Sequence, residues 1–422
     1  MKIIATSDWH LGNLFHGNDR LPEHRHFLEW LLERIAEQHP DALLVAGDVF
    51  DNGNPSAAAQ SAYYEFLADA TGACPEMQVV VTAGNHDSAS RLEAPRPLLA
   101  RHKVEVRGTV RRIWQQTGDG GVWVAQYDDL MIPIRGRDGQ EAVVLAVPYL
   151  RSDVVGEYGS DYSHGVRSFL AELTAAARHQ YPGRRLVMMA HLYAKGADIA
   201  ETDASEKIVV GGLEEVGLDG WEGHPDYMAC GHIHKRQHIW NTDWARYMGS
   251  VLPMSFAEKD YRHGADMVTF EPGLEHPMVE FLEYEPQHRL RIIESEADMT
   301  PNKFAKLIGK ELRDCGEEGV LSETFDYVML KVTMEKVSND DLKKLEDAVK
   351  TKDAVLCKTQ KVLPAAETVT ITGTECIKSV DDILNRDPLE TLREAYVIKH
   401  NREMTERQEA MLKEAIRELR TS

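Results

Sequence analysis

The chain has 422 residues, 43% of them hydrophobic, which leaves room for two or three domains with real cores. Its 69 acidic residues against 48 basic ones leave a net charge of −21, which excludes a strongly basic nucleic-acid binder. The five cysteines are scattered, odd in number and without a Cys-x-x-Cys pair, which argues against a disulfide framework or a structural zinc knuckle.

In chain order, residues 2–6 read as a strand, followed by Ser7-Asp8-Trp9-His10-Leu11-Gly12 in a loop. Pro22 opens a helix whose Phe27, Leu28, Leu31, Leu32 and Ile35 recur at helical spacing. Residues 41–51, DALLVAGDVFD, are the centre of the pattern. Their apolar run reads as a strand buried on both faces, as in a parallel sheet. Asp48 then stands at the carboxyl edge, where open α/β sheets build their sites, and Asp51 follows one short turn later. Pro55 starts a helix to about residue 70. Residues 78–82 form a strand that runs into Gly84-Asn85-His86-Asp87. Strand, loop and helix thus recur three times, which predicts βαβ units and a mostly parallel sheet.

Residues 104–150 read as β-rich, and 163–181 as a helix. Strands at 186–190 and 225–230 deliver His191 and Gly231-His232-Ile233-His234. Short antiparallel strands at 237–240, 246–248, 267–271 and 278–284 make a sheet-on-sheet core plausible. A boundary falls near 284–289. Beyond it, strands at 290–294, 327–334 and 355–362 alternate with helices at 301–315 and 339–350. From residue 380 the chain is charged, with apolar stripes such as Leu384, Leu389 and Leu392 that an isolated helix could not bury. Such a tail either meets a partner or packs on its own chain. No apolar stretch approaches about 20 residues, so neither a signal peptide nor a membrane span is expected, and the cytoplasm is the default.

The unusual residues form five blocks: Asp8-x-His10, Gly47-Asp48-x-x-Asp51, Gly84-Asn85-His86-Asp87, His191 and Gly231-His232-x-His234. Each block alone is weak, because such turns and histidines are common. All five in this order, each after a predicted strand, point to one site. Three oxygen donors and four imidazoles suit manganese, iron or zinc. Seven ligands fit two ions sharing one carboxylate. Ions roughly 4 Å apart can hold a phosphoryl group and activate water near neutral pH.

The five blocks resemble the calcineurin-like metallophosphoesterases. The longer stretches Thr6–Gly12, Ala46–Asp51, Ala83–Ser88, Gly231–His234 and Gly249–Ser250 with Pro253–Phe256 are similar to its bacterial SbcD branch of nuclease subunits. The resemblance implies an α/β fold with a two-sheet metallophosphoesterase sandwich flanked by helices over 1–284. It implies a small α+β DNA-capping domain over 285–375 and a helical segment over 376–422 that grips an SbcC-type coiled-coil ATPase. It implies one ion, taken as Mn²⁺, on Asp8, His10, Asp48 and His234, and a second on Asp48, Asn85, His191 and His232. His86 would stabilise developing charge or protonate the leaving oxygen, with the Asp51 carboxylate orienting it. The helices at 55–70 and 91–100 resemble the pair that makes the family's homodimer, within a heterotetramer. No Gly-x-x-x-x-Gly-Lys-Ser/Thr motif occurs, so ATP falls to another chain. The expected reaction is metal-dependent cleavage of DNA, as double-strand exonuclease and single-strand or hairpin endonuclease. The alternatives are a phosphoesterase of small molecules or phosphoproteins, and a scaffold without catalysis.

Overall fold

The computed structural model describes residues 1–118, 120–158, 161–198, 215–316, 319–334 and 337–362. The tail expected over 376–422 and the stretch 363–375 lie outside the described residues.

Strands β1 (Lys2–Thr6), β2 (Ala42–Ala46), β3 (Gln78–Thr82) and β4 (Val104–Arg107) run parallel. Helix α1 (Leu21–Gln38) joins the first pair, and α2 (Ala57–Ala73) the second. The chain then forms a hairpin of β5 (Arg112–Thr117) and β6 (Gly120–Ala125). It continues through β7 (Met131–Arg135), β8 (Glu141–Ala146), α3 (Tyr162–Gln180), β9 (Arg185–His191), β10 (Tyr227–Gly231), β11 (Gln237–His238) and β12 (Ala245–Tyr247). These build a second sheet in the order β11-β12-β10-β9-β8-β7. Strands β13 (His263–Thr269) and β14 (Met278–Tyr284) return to complete the first sheet, in the order β14-β13-β1-β2-β3-β4.

The side-chain period of two explains the layers. Leu43, Val45, Val79 and Val81 face α1 and α2, against Phe27, Leu31, Tyr63 and Phe66. Their neighbours Leu44, Ala46 and Val80 face the second sheet, against Val144, Val187, Met189 and Tyr227. Each large side chain buried this way contributes about 1.5–3 kcal/mol. The chain therefore has the expected two-sheet sandwich with helices outside.

Residues 290–361 build a third sheet from β15 (Leu290–Glu294), β16 (Asp326–Val332) and β17 (Ala354–Lys361), all parallel. Helices α4 (Pro301–Glu311) and α5 (Asn339–Lys350) cover it through Phe304, Ile308, Leu345 and Val349. Its other contacts reach the sandwich. Leu290, Tyr327 and Met329 pack with Phe15 and Phe256, and the Tyr327 hydroxyl donates to Glu23 at 3.2 Å.

Two local expectations differ. Pro55 precedes α2 rather than opening it, because the Ser56 side chain caps the helix by accepting from the Ala59 N–H at 3.1 Å. The helix expected over 91–100 is broken into Ala89–Glu93 and Arg96–Leu99, with Pro95, which has no N–H to donate, between them. Strand β12 pairs with β11 antiparallel, as expected, and its other edge pairs with β10 in parallel. No helix among the described residues is long and apolar enough to cross a membrane.

Candidate metal centre

The parallel strands of both sheets bring their carboxyl ends to one edge, and the five blocks meet there. Trp9 turns the first loop. Its ring is buried between Phe27 and Phe66, and its Nε1 donates to Thr6 Oγ1 at 3.1 Å. Asp8 and His10 flank it in sequence. The loops pair through their main chains, with Asp8 N–H donating to the Gly47 carbonyl at 3.1 Å and His10 N–H to the Asp48 carbonyl at 3.0 Å. Four site positions hold left-handed backbone that side chains rarely adopt: Asp8 (φ 52°), His10 (48°), Asp48 (49°) and His232 (97°). A Cβ at Gly47 (φ 88°) would lie 2.2 Å from His191 Nδ1, so only glycine lets the second sheet approach this closely.

The side chains converge on Asp48. Its Oδ2 lies 3.3 Å from His191 Nε2 and 3.7 Å from His10 Nε2, while its Oδ1 accepts from the His86 N–H at 2.9 Å. Asn85 Oδ1 lies 2.9 Å from His191 Nε2 and 3.0 Å from His232 Nδ1. Among the described residues, three overlapping triplets offer ligand atoms within 4.8 Å of one another: Asp8, His10 and His234; His10, Asp48 and His86; Asp8, Asp48 and His191. The seven predicted ligand positions are thus brought together, with Asp48 between two groups of imidazoles.

The donor set fits divalent cations. His10 is 1% exposed, and neither of its ring nitrogens has a hydrogen-bond partner among the described residues. A buried nitrogen left so costs about 1–3 kcal/mol, and a bound cation would offset that cost. Burial drives the His10 imidazole well below its usual range and His232 to about 3, which keeps both neutral, as ligands must be. Burial opposes charge on His191 too, but the adjoining Asp48 carboxylate outweighs it and lifts the imidazole to about 9.

Asp51 is placed differently from expectation. His86 Nδ1 lies 2.8 Å from the Asp51 main-chain carbonyl. The Asp51 carboxylate turns the other way, accepting from Asn13 Nδ2 at 2.8 Å and lying 3.7 Å from His10 Nδ1. The loop path past Phe50, not the acidic side chain, holds His86.

Two carboxylates to which the sequence reading gives no role join the site. Asp87, 3% exposed, accepts from the main-chain N–H of Val49 (3.1 Å), Phe50 (3.0 Å) and Gly84 (2.9 Å). It ties the loop of Asp48 to the loop of Asn85 and His86. Its place inside the Gly-Asn-His-Asp block was a usable signal. Glu258, fully buried, has Oε1 3.2 Å from His234 Nδ1. It lies 24 residues beyond that histidine in an irregular segment, where no periodicity announces it.

Two buried histidines outside the ligand set predict an acid response. Burial holds His24 down to about 3 and His263 to about 4. An unfolded imidazole titrates near 6.5. Between those values the unfolded chain binds protons that the native state does not, so stability present above pH 6.5 is lost as pH falls. His10 and His232 act in the same direction, and His191 opposes them. Metal-free protein should therefore melt at lower temperature at pH 5 than at pH 7, each depressed imidazole costing about 2 kcal/mol. Equal melting temperatures at the two pH values would contradict this.

The model of the family "Calcineurin-like phosphoesterase" matches residues 1–236. The chain is similar to the SbcD subunit of the nuclease SbcCD of Rhodobacter capsulatus, 39% identical over 282 residues, 65% of this chain and 67% of that one. It is similar to the protein of the same name from Escherichia coli K12, 33% identical over 287 residues, 65% and 66% of the two chains. The Bacillus subtilis protein of that name is 31% identical over 280 residues, 65% and 68%. The alignments thus take in about two thirds of each relative's own length.

Proposed function

We propose that this chain, which belongs to the calcineurin-like phosphoesterase family, is a metal-dependent DNA phosphodiesterase, the nuclease component of an SbcCD-type repair complex. The observation that carries the reading is the meeting of Asp8, His10, Asp48, Asn85, His191, His232 and His234 at one sheet edge, with Asp48 central. The names of the relatives supply the substrate class and the complex.

One cation, taken as Mn²⁺, would be held by Asp8, His10, Asp48 and His234, and a second by Asp48, Asn85, His191 and His232. When bound, such ions neutralise nonbridging phosphate oxygens and acidify water. The chain's own residues do the rest. Asp48 keeps the His86 main chain in place through the 2.9 Å contact. The Asp51 carbonyl accepts from His86 Nδ1, so the proton sits on Nδ1 and Nε2 is left to face a phosphate oxygen. As imidazolium, that ring stabilises charge on the oxygen or protonates the leaving group. Double-strand ends, single strands and hairpins are the proposed substrates.

In the same reading, residues 285–375 cap the DNA, and the segment 376–422 binds an SbcC-type ATPase, which supplies ATP handling and positive charge that this acidic chain lacks. Two copies pair within a cytoplasmic heterotetramer.

The test uses linear duplex and hairpin DNA, with nucleotides and phosphoproteins as competing substrate classes. The chain is assayed alone and with its ATPase partner. DNA should be cut with Mn²⁺, spared after chelation and cut again when Mn²⁺ is restored. Hydrolysis of nucleotides or phosphoproteins with DNA left intact would overturn the nuclease reading.

A further inference from the structure

We infer that Glu258 is the positioning residue of this centre: its buried carboxylate fixes the orientation and tautomer of His234. The inference rests on the metal-site reading above. Glu258 is 0% exposed, and an unpaired charge at that depth would be strongly disfavoured. Its two oxygens are used in different directions. Oε1 lies 3.2 Å from His234 Nδ1, and Oε2 accepts from the Met254 N–H at 2.8 Å. An imidazole that donates from Nδ1 keeps its proton there. Its lone pair is then on Nε2, where a cation would take it. Carboxylates behind ligand histidines act in this way, and their loss typically costs 10–100-fold in metal affinity.

The seat of Glu258 is built from outside the site. It ends a short turn, Phe256–Glu258, whose start is capped by Ser255 Oγ accepting from the Ala257 N–H. Phe256 packs on Phe15 with ring centroids 5.3 Å apart, and both pack with Tyr327 and Leu290 of the third sheet. Arg20 reaches the same segment by donating to the Pro253 carbonyl. The 290–361 module therefore clamps the turn that backs one ligand. The second proposed ion position differs: His191 Nδ1 meets the neutral Ala46 carbonyl, at 3.1 Å. A carboxylate makes its imidazole a better donor than a carbonyl does, so the two ion positions are unequal by construction.

The discriminating variant is Glu258→Gln. One amide oxygen replaces two carboxylate oxygens, so the amide NH₂ must face either Met254 N–H or His234 Nδ1. Facing His234, it favours the tautomer with the proton on Nε2, where the cation belongs. The full chain is titrated with MnCl₂ calorimetrically, and melting is followed with and without Mn²⁺. Wild type should take up two Mn²⁺ per chain. Glu258→Gln should weaken one of the two by about 10–100-fold, leave melting of the chelated protein unchanged, and shrink the rise in melting temperature that Mn²⁺ produces. A readout without any variant at Glu258 comes from ¹⁵N-histidine NMR of chelated wild type, with His234 assigned through His234→Asn. The Nδ1–H tautomer is expected. An Nε2–H tautomer, or wild-type Mn²⁺ affinity at both positions in Glu258→Gln, overturns the inference and leaves the metal site standing. Wild type that binds no Mn²⁺ overturns both.

Discussion

His86→Ala is expected to lower DNA cleavage by about 10²–10⁴-fold and to leave two Mn²⁺ bound per chain. The two halves of this result come from different atoms of one residue. The ligand-holding part is the His86 N–H, which donates to Asp48 Oδ1 at 2.9 Å and survives in alanine. The chemical part is the imidazole, held through Nδ1 at the Asp51 carbonyl. Alanine removes the ring and no carboxylate, so the cation site keeps its charge. Metal analysis after dialysis and cleavage of end-labelled duplex measure the two halves separately. Cleavage at the wild-type rate would refute the role given to His86. Loss of metal together with activity would reassign the ring as a ligand.

Asp48→Asn has the opposite signature. Asparagine keeps the shape and tolerates the left-handed backbone at this position (φ 49°). Its amide oxygen can still accept from the His86 N–H. The change removes one negative charge from between His10 and His191. Both cations are proposed to touch that carboxylate, so both should weaken. We expect Mn²⁺ to fall from two per chain to one or none, with affinity lowered by more than about 100-fold, beyond the range for residues that only support a ligand. Cleavage should drop to background. A variant that retains two Mn²⁺ at wild-type affinity would show that Asp48 does not join them.

How much of this is legible before folding differs by element. The apolar run Ala42–Ala46 announces a central strand because both faces are covered, Leu43 and Val45 by helices and Leu44 by the second sheet. His191 and Gly231 follow runs of the same kind and prove to be register partners. Local rules suffice there, since burial on two faces leaves a composition signal. They fail where a contact is made by the main chain or across a long stretch of sequence. The Asp51 side chain has the look of a partner for His86, and nothing in residue identity tells a carbonyl from a carboxylate at the same position. Glu258 reaches His234 from a turn whose Phe256 packs on Phe15 and Tyr327, which are far apart in the chain. The helix expected across Pro95 fails for a simpler reason: it is implied by resemblance alone, and the missing N–H of that proline breaks it.

The unusual torsion angles at Asp8, His10, Asp48 and His232 bear on any attempt to engineer this chain. A non-glycine residue pays on the order of 1–3 kcal/mol to stay in such a conformation. Glycine at the same places would relax the loops and remove the donors in one move. Selection for heat tolerance alone therefore pulls against turnover at these four codons. The hardiest descendants in an unguided thermostability screen would be found among its inactive ones.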